Sequence, residues 1–247
     1  MTKNLVQSLN DDLTPDLCAT FAARLGEEPA AVHKALHTVL PLLVGNLARH
    51  VTEVAHIDQL HTLIRSSDAD DSDVAVLADK LRSDDGYQLV AEGQHRALTL
   101  LGARVPTIAS AESTIADLRP RSARELVGLA MTMVLSELKR ELVERQLDED
   151  GLTYLLMSQK PVLQGQIDPV LATALGYRDP DAMIAGIASV PEGDTLRPSW
   201  FASLMNSIRA RYESGKGLDD LKGPETLPRV DDRGEPMTRR GPPPPWH

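Results

Sequence analysis

The sequence is poor in aromatic residues and in cysteine. Aromatic residues make up 3% of the 247 positions, and alanine and leucine dominate the apolar residues. This composition favours helices over strands, which use β-branched and aromatic side chains. The single cysteine, Cys18, excludes an internal disulfide and a cysteine-rich zinc or iron–sulfur site. We expect Cys18 to be a small buried hydrophobic residue near the start of a helix.

The chain also lacks a basic cluster and a long apolar run. It carries 26 Lys and Arg residues against 36 Asp and Glu residues, a formal net charge of −10. Nucleic-acid binding needs a positive surface that contacts phosphates, so we expect no nucleic-acid partner. The longest apolar run, residues 39–44, contains Pro41 and is far shorter than the ~20 residues that cross a bilayer. Since the first residues also lack the apolar stretch of a secretory signal, we expect a cytoplasmic protein.

Apolar residues recur at helical spacing up to about residue 213, and strand patterns are missing. The predicted fold class is therefore all-α. Thr14 and Pro15 are placed to begin one helix, and Gly26 is placed to end it in a left-handed conformation. A second helix begins at Pro29, and Pro41 predicts a kink or break near residues 37–40 because proline removes one backbone hydrogen bond. The apolar stripe of this second helix comprises Val32, Leu36, Val39, Leu43 and Leu47.

The longest helix is predicted over residues 122–146. Ser122 and Glu125 have the spacing of a capping box, in which the two side chains bond to N–H groups of the first turn. The predicted buried stripe comprises Leu126, Ala130, Met133, Leu138 and Leu142. The predicted surface comprises Lys139, Arg140, Glu141, Glu144 and Arg145.

Further helices are predicted at about residues 55–66, 72–83, 87–101 and 149–164, after Asp168-Pro169 and after Asp179-Pro180, and at 200–212. Residues 214–247 differ, because 12 of these 34 positions are proline or glycine, and we expect this tail to be disordered. The predicted domains are a helical domain at 1–166, additional helices packed on it at 167–213, and the tail at 214–247.

Two parts of the sequence align when the chain is shifted by 91 positions. ALHTVLPLLVGNLARHV, from Ala35 to Val51, then aligns with LVGLAMTMVLSELKREL, from Leu126 to Leu142. With one further residue of shift, a short Leu-rich segment follows in each part, namely Leu60, Leu63 and Ile64 in the first and Leu152, Leu155 and Leu156 in the second. The pattern predicts an internal duplication that forms two related helical halves of one compact domain.

Four segments that together cover about residues 5–166 share the pattern of a known family, namely LTPDLCATFAARLGEEPAAVHKALHTVLPLLVGNLAR, GQHRALTLLGARVPTIAS, RSARELVGLAMTMVLSELKREL and LDEDGLTYLLMSQKPVLQG. They resemble the bacterial YidB-like family of unknown function (DUF937). The chain departs from the family pattern at Glu137, Lys139 and Arg140, where the family tends to have small apolar residues. The family has no established activity, so the resemblance implies a fold and no site residues.

No motif indicates a reaction or a metal. His33 and His37 are four residues apart, a spacing that lets two imidazoles share a metal, and His50, His56 and His61 follow. In HKALH, however, Lys34 stands where zinc proteases have glutamate. The acidic run DADDSD has Asp73 where a calcium loop requires glycine. Since phosphate-binding loops, dinucleotide fingerprints and nucleophile elbows are also missing, we expect no catalytic residue, no metal and no cofactor.

The remaining features favour a non-catalytic protein that binds another protein through its C-terminal tail. The last residues combine a stretch that forms a stiff polyproline rod with a large apolar anchor and two cations. The predicted docking segment comprises Arg239, Arg240, Pro242, Pro243, Pro244, Pro245 and Trp246.

Two alternative functions stay open. The segment 198–213 is amphipathic, and its apolar face either packs on the body or contacts a membrane surface or a partner. That face comprises Trp200, Phe201, Leu204, Met205 and Ile208. The other alternative is an enzyme whose catalytic groups converge from distant positions.

Overall fold

The computed structural model describes residues 4–51, 53–66 and 74–189, and the regular elements in these ranges are all α-helices. The all-α prediction is confirmed. The helices are α1 (Leu5–Asp11), α2 (Pro15–Leu25), α3 (Pro29–His50), α4 (Val54–Ser66), α5 (Val74–Arg82), α6 (Gly86–Leu101), α7 (Arg104–Ile115), α8 (Pro120–Arg145), α9 (Glu149–Met157), α10 (Pro169–Ala174) and α11 (Pro180–Ala185).

Helices α3 and α8 form the centre of the body and pack against each other. Residues 39–48 of α3 and 126–138 of α8 are buried without interruption. A helix that is buried on all sides must be surrounded by other elements. Here α2, α7 and α9 cover α3, while α4, α6 and α7 cover α8.

The local signals at the helix ends are mostly confirmed. The hydroxyl of Thr14 accepts a hydrogen bond from the N–H of Leu17 at 3.2 Å, and Gly26 ends α2 with φ of 67°. Asp168 and Asp179 cap α10 and α11 in the same way, each followed by proline in the first turn. Cys18 is buried in α2, as predicted.

The predicted break at Pro41 is wrong, because α3 continues through this residue to His50. Proline inside a helix costs about 3 kcal/mol, chiefly through one lost hydrogen bond and a steric clash. In α3 this cost is opposed by burial, since Pro41 and its neighbours Leu40 and Leu42 all lie in the core. Tertiary packing therefore keeps the helix continuous where the local signal predicts a break.

The predicted capping box of α8 is also wrong. The helix begins at Pro120, so Ser122 and Glu125 lie inside it. The Ser122 hydroxyl donates to the carbonyl of Leu25 at 3.3 Å, and Glu125 pairs with Arg121 at 2.9 Å. Ser122 thus connects α8 to the end of α2, a contact that local sequence spacing does not reveal.

Other expectations for the second half need correction too. Glu141 was expected on the surface, but it is buried and its carboxylate lies 2.8 Å from the guanidinium of Arg145. Lys139, Arg140 and Arg145 are partly buried, whereas Glu144 is exposed. Helix α9 ends at Met157, seven residues before the predicted end at 164, and turns follow it.

The helix boundaries are consistent with the predicted internal duplication. Pro29 begins α3 and Pro120 begins α8, which are 91 positions apart. The packing is reciprocal as well, because α3 contacts α9 while α8 contacts α4. The duplication itself stays a prediction.

The predicted domain boundaries are not tested by the described residues. Helices α10 and α11 contact α3, and α10 also contacts α7. The acidic run 68–73, the amphipathic segment 200–212 and the tail 214–247 lie outside the described residues. Within the part of the chain that is described, no helix has the length and apolarity needed to cross a membrane.

Helices α6 and α8 approach each other closely at two glycines. A Cβ atom on Gly93 would lie 2.7 Å from the carbonyl oxygen of Gly128, and one on Gly128 would lie 2.7 Å from the backbone nitrogen of Gln94. Both distances are shorter than a van der Waals contact, and the neighbouring atoms belong to the backbone. This crossing therefore has no room for a side chain on either residue.

Replacing Gly93 with valine should destabilise the protein by about 1 to 3 kcal/mol, because the two helices must separate to accept the side chain. The matched control is Ala91→Val on the exposed face of the same helix, which should change the stability by less than about 0.5 kcal/mol. The free energy of unfolding in urea measures both. Equal stability of the two variants would contradict the close crossing.

Candidate functional site

The predicted partner-binding residues lie outside the described residues. This holds for the docking segment, Arg239, Arg240, Pro242, Pro243, Pro244, Pro245 and Trp246, and for the apolar face, Trp200, Phe201, Leu204, Met205 and Ile208. Both assignments therefore stay predictions.

Three side chains meet where α3 ends and α4 begins. His50 is the last residue of α3, Glu53 precedes α4, and His56 lies in its first turn. The Nδ1 atom of His50 lies 2.8 Å from one carboxylate oxygen of Glu53, and the Nδ1 atom of His56 lies 2.9 Å from the other. The two imidazole rings are stacked with centroids 5.2 Å apart. We call His50, Glu53 and His56 the junction cluster.

The backbone of the turn holds the junction cluster together. The N–H of Glu53 donates to the carbonyl of His50 at 3.0 Å, and the carbonyl of Glu53 accepts from the N–H of His56 at 2.9 Å. A carboxylate at the start of α4 is also favoured by the partial positive charge of a helix N-terminus. The turn thus fixes the spacing of the three side chains without the help of a ligand.

Helix α7 contributes a cation to the same place. Nη1 of Arg104, the first residue of α7, lies 3.0 Å from Nε2 of His50 and 3.2 Å from the side-chain oxygen of Asn46. Because a guanidinium only donates hydrogen bonds, Nε2 of His50 accepts and the ring proton sits on Nδ1. That proton then points at Glu53.

A cavity of about 10 Å³ adjoins the two imidazoles, and this volume is close to that needed for one water molecule. Its lining comprises Asn46, Leu47, His50, Val51, His56, Leu60 and Leu100. The junction cluster therefore combines two imidazoles, a carboxylate and a small space that reaches both rings.

Sequence reasoning noted the two histidines of the junction cluster but missed Glu53. The relevant signal is the spacing of three residues between successive members. This spacing crosses the boundary between two helices, so the pattern alone does not place the side chains together. The pair that the sequence did single out, His33 and His37, is exposed on α3 with ring centroids 6.3 Å apart.

A shallow groove lies between α2 and α5. It has a volume of about 400 Å³ and is lined by Asp16, Ala19, Thr20, Ala23, Arg24, Leu81 and Arg82. Its charged groups bond to their neighbours, since Arg82 contacts Asp16 at 2.5 Å and Thr20 at 2.9 Å. The guanidinium of Arg24 stacks 3.5 Å from the ring centroid of Tyr87. These contacts connect the helices to one another. The side chains that line the groove do not form a set of groups that could carry out a reaction.

Glu112 of α7 is a buried carboxylic acid that holds its proton more tightly than an ordinary glutamate does. Its side chain is fully buried, and burial raises its pKa to about 8, helped by the charge of Asp168. The Thr38 hydroxyl lies 2.9 Å from one oxygen of Glu112 and 3.1 Å from the other. A perturbed acid often marks an active site. Glu112, however, lines neither the cavity at the junction cluster nor the groove between α2 and α5.

Glu112→Gln should make the protein less sensitive to pH. The folded protein keeps the proton up to about pH 8, whereas the ordinary value is 4.5. Stability from the protonated group is therefore complete below pH 4.5 and falls as the pH rises towards 8. The variant should gain stability over the original protein by about 1.4 kcal/mol per pH unit across this range.

Urea unfolding at several pH values measures this gain. The matched control is Glu144→Gln on the exposed surface of α8. The free energy of unfolding of this variant should not show the gain with rising pH that is expected for Glu112→Gln. The account of Glu112 is incorrect if its variant also lacks this gain.

The chain matches one family model over residues 7–141, more than half of its length. The family is described as bacterial protein of unknown function, DUF937. Searches for similar chains among curated proteins and among solved structures find no match. The matched range contains α1 only in part and ends within α8, so it is shorter than the resemblance noted over residues 5–166. Within that range lie the junction cluster, Arg104 and Glu112, and the chain belongs to this bacterial family of unknown function.

Proposed function

We propose that this protein is a non-catalytic cytoplasmic interaction protein, in which the helical body is a firm support and the segment Arg239–Trp246 binds another protein. The observation that carries the proposal is the use of polar side chains in the body. Long polar side chains, one from within a helix and others from residues that flank helices, bond to the backbone at or near the ends of other helices, and this is typical of a structural role.

Arg119 is the first example. It precedes α8, and its Nη2 atom donates to the carbonyls of Leu25 and Gly26, both at 2.6 Å. Its Nε atom also donates to Glu27 at 2.7 Å, and the hydrogen bonds from Arg119 and Ser122 lower the pKa of this carboxyl despite some desolvation. Carbonyls at the end of a helix lack partners within that helix, so Arg119 supplies the partners that α2 needs.

Gln159 and Lys160 do the same for two distant segments. The side-chain oxygen of Gln159 accepts from the N–H of Leu5 at 2.9 Å, at the start of α1. The amine of Lys160 donates to the carbonyl of Ile187 at 2.6 Å, just after α11. Two adjacent residues thus attach the first and last described helices to the end of α9.

Arg49 holds α11 against α3. Its Nη1 atom donates to the carbonyl of Met183 at 2.8 Å, and its guanidinium lies 4.8 Å from the ring centroid of Tyr177. The body therefore uses its cations to fix helices, which supports a role as a scaffold.

The C-terminal segment supplies the binding element of the proposal. Four consecutive prolines favour a polyproline II rod of about 3 Å per residue, which loses little entropy when a groove accepts it. Trp246 follows as an anchor of the kind that often dominates binding energy, and Arg239 and Arg240 add charge-assisted contacts to an acidic partner. The residues between the body and this segment link the two, so a partner bound to the segment has a raised effective concentration near the body.

The proposal predicts a discrete partner of the tail. A photo-crosslinking amino acid placed at position 246 in the host should trap one protein, whereas the same amino acid at Tyr87, a body residue that is 75% exposed, should not trap it. A synthetic peptide of residues 237–247 should bind the purified partner. Trp246→Ala should weaken that binding about thirtyfold, because such anchors typically contribute about 2 kcal/mol or more.

His247→Ala is the matched control at the end of the chain and should leave the affinity of the peptide unchanged. Binding that is equal for both peptides, or a crosslinked protein that the body alone binds equally well, would show that the tail is not the docking element.

A further inference from the structure

We infer that the junction cluster of His50, Glu53 and His56 binds a divalent transition-metal ion such as Zn²⁺, which links the end of α3 to the start of α4. The inference is independent of the tail and goes beyond the proposed interaction function. It rests on the donor set, on the adjoining cavity and on the position of Arg104.

The donor set matches the preference of zinc. Two imidazole nitrogens and a carboxylate oxygen lie within 4.8 Å of one another. Zinc binds such atoms at about 2.0 to 2.2 Å in tetrahedral geometry, which places neighbouring ligand atoms about 3.3 to 3.5 Å apart. The two Nδ1–carboxylate distances of 2.8 and 2.9 Å already lie slightly below this separation. Small side-chain rotations therefore convert the hydrogen-bonded cluster into a coordinating one.

The cavity adjoins two of the three ligand residues, His50 and His56. A zinc site with three protein ligands completes its coordination with water. The space of about 10 Å³ is close to the size of one water and is lined by both imidazoles together with the amide of Asn46. The ion reaches the cluster from solvent, because the side chains of His56 and Glu53 are 40% and 41% exposed.

Arg104 opposes metal binding in a way that can be measured. Coordination through Nδ1 requires the ring proton of His50 to move to Nε2. The Nε2–H group then faces the guanidinium of Arg104, so two donors meet where a donor and an acceptor met before. Arg104 keeps its bond to Asn46 but must leave His50, which lowers the affinity for the metal.

Titration of the full chain with Zn²⁺, followed by calorimetry, tests the site, and the visible absorption of Co²⁺ reports its geometry. We expect one ion per chain and the intense bands of tetrahedral Co²⁺. His56→Ala and Glu53→Gln should each weaken binding at least about tenfold. Both residues are partly exposed, so these variants should fold, as circular dichroism can verify.

The matched control is the double variant His33→Ala/His37→Ala, which removes the exposed histidine pair of α3 and should leave the affinity unchanged. Arg104→Met keeps an unbranched, flexible side chain but removes the charge and the hydrogen-bond donors. It should tighten binding by about tenfold, whereas a purely structural role of Arg104 predicts no gain.

The inference is overturned if the original chain binds no Zn²⁺, or if it binds Zn²⁺ with the same affinity as the His56→Ala variant. It is also overturned if the His33→Ala/His37→Ala variant loses the ion, which would assign the binding to the exposed pair. Weaker binding by Arg104→Met would refute the competition between Arg104 and the metal.

Discussion

The burial of residues 39–48 of α3 and 126–138 of α8 is the constraint on which the rest of this structure depends. A helix segment that is buried on every side must be covered by other elements, and the chain covers these two with amphipathic helices. The same constraint explains why α6 crosses α8 closely at Gly93 and Gly128. When the two backbones are in contact, α6 excludes the most water from the surface of α8. It also explains why α3 tolerates Pro41 in its interior.

The charged residues of the body follow from this burial. Glu112 and Glu141 are the same residue type and are both fully buried, yet their neighbours differ. Glu141 lies beside Arg145 in the next turn of α8. Glu112 has the Thr38 hydroxyl as its close polar contact, and desolvation raises its pKa. A buried carboxyl group must be paired with a cation or keep its proton, and the described residues show both solutions.

Short helices raise a second physical problem, because each of their ends leaves backbone groups without partners. The chain solves it with long side chains of residues in or beside neighbouring helices, as Arg49, Arg119 and Gln159 show. Two of these residues bond to segments outside the family match. Arg49, within residues 7–141, donates to Met183 beyond them, and Gln159, also beyond them, accepts from Leu5, which precedes residue 7. The family domain and its flanking segments are therefore joined by specific hydrogen bonds.

The amino-acid sequence alone predicts the all-helical class, the caps at Thr14, Asp168 and Asp179, and the core stripes of α3 and α8. These features depend on local spacing, on proline and on apolar periodicity, which are properties of neighbouring residues. Tertiary structure decided the rest. It kept α3 continuous at Pro41, directed Ser122 to Leu25 and buried Glu141, because burial and long-range contacts outweigh local preference. It also placed Arg104 of α7 against His50 at the end of α3, because residues 54 positions apart meet only after the helices have packed.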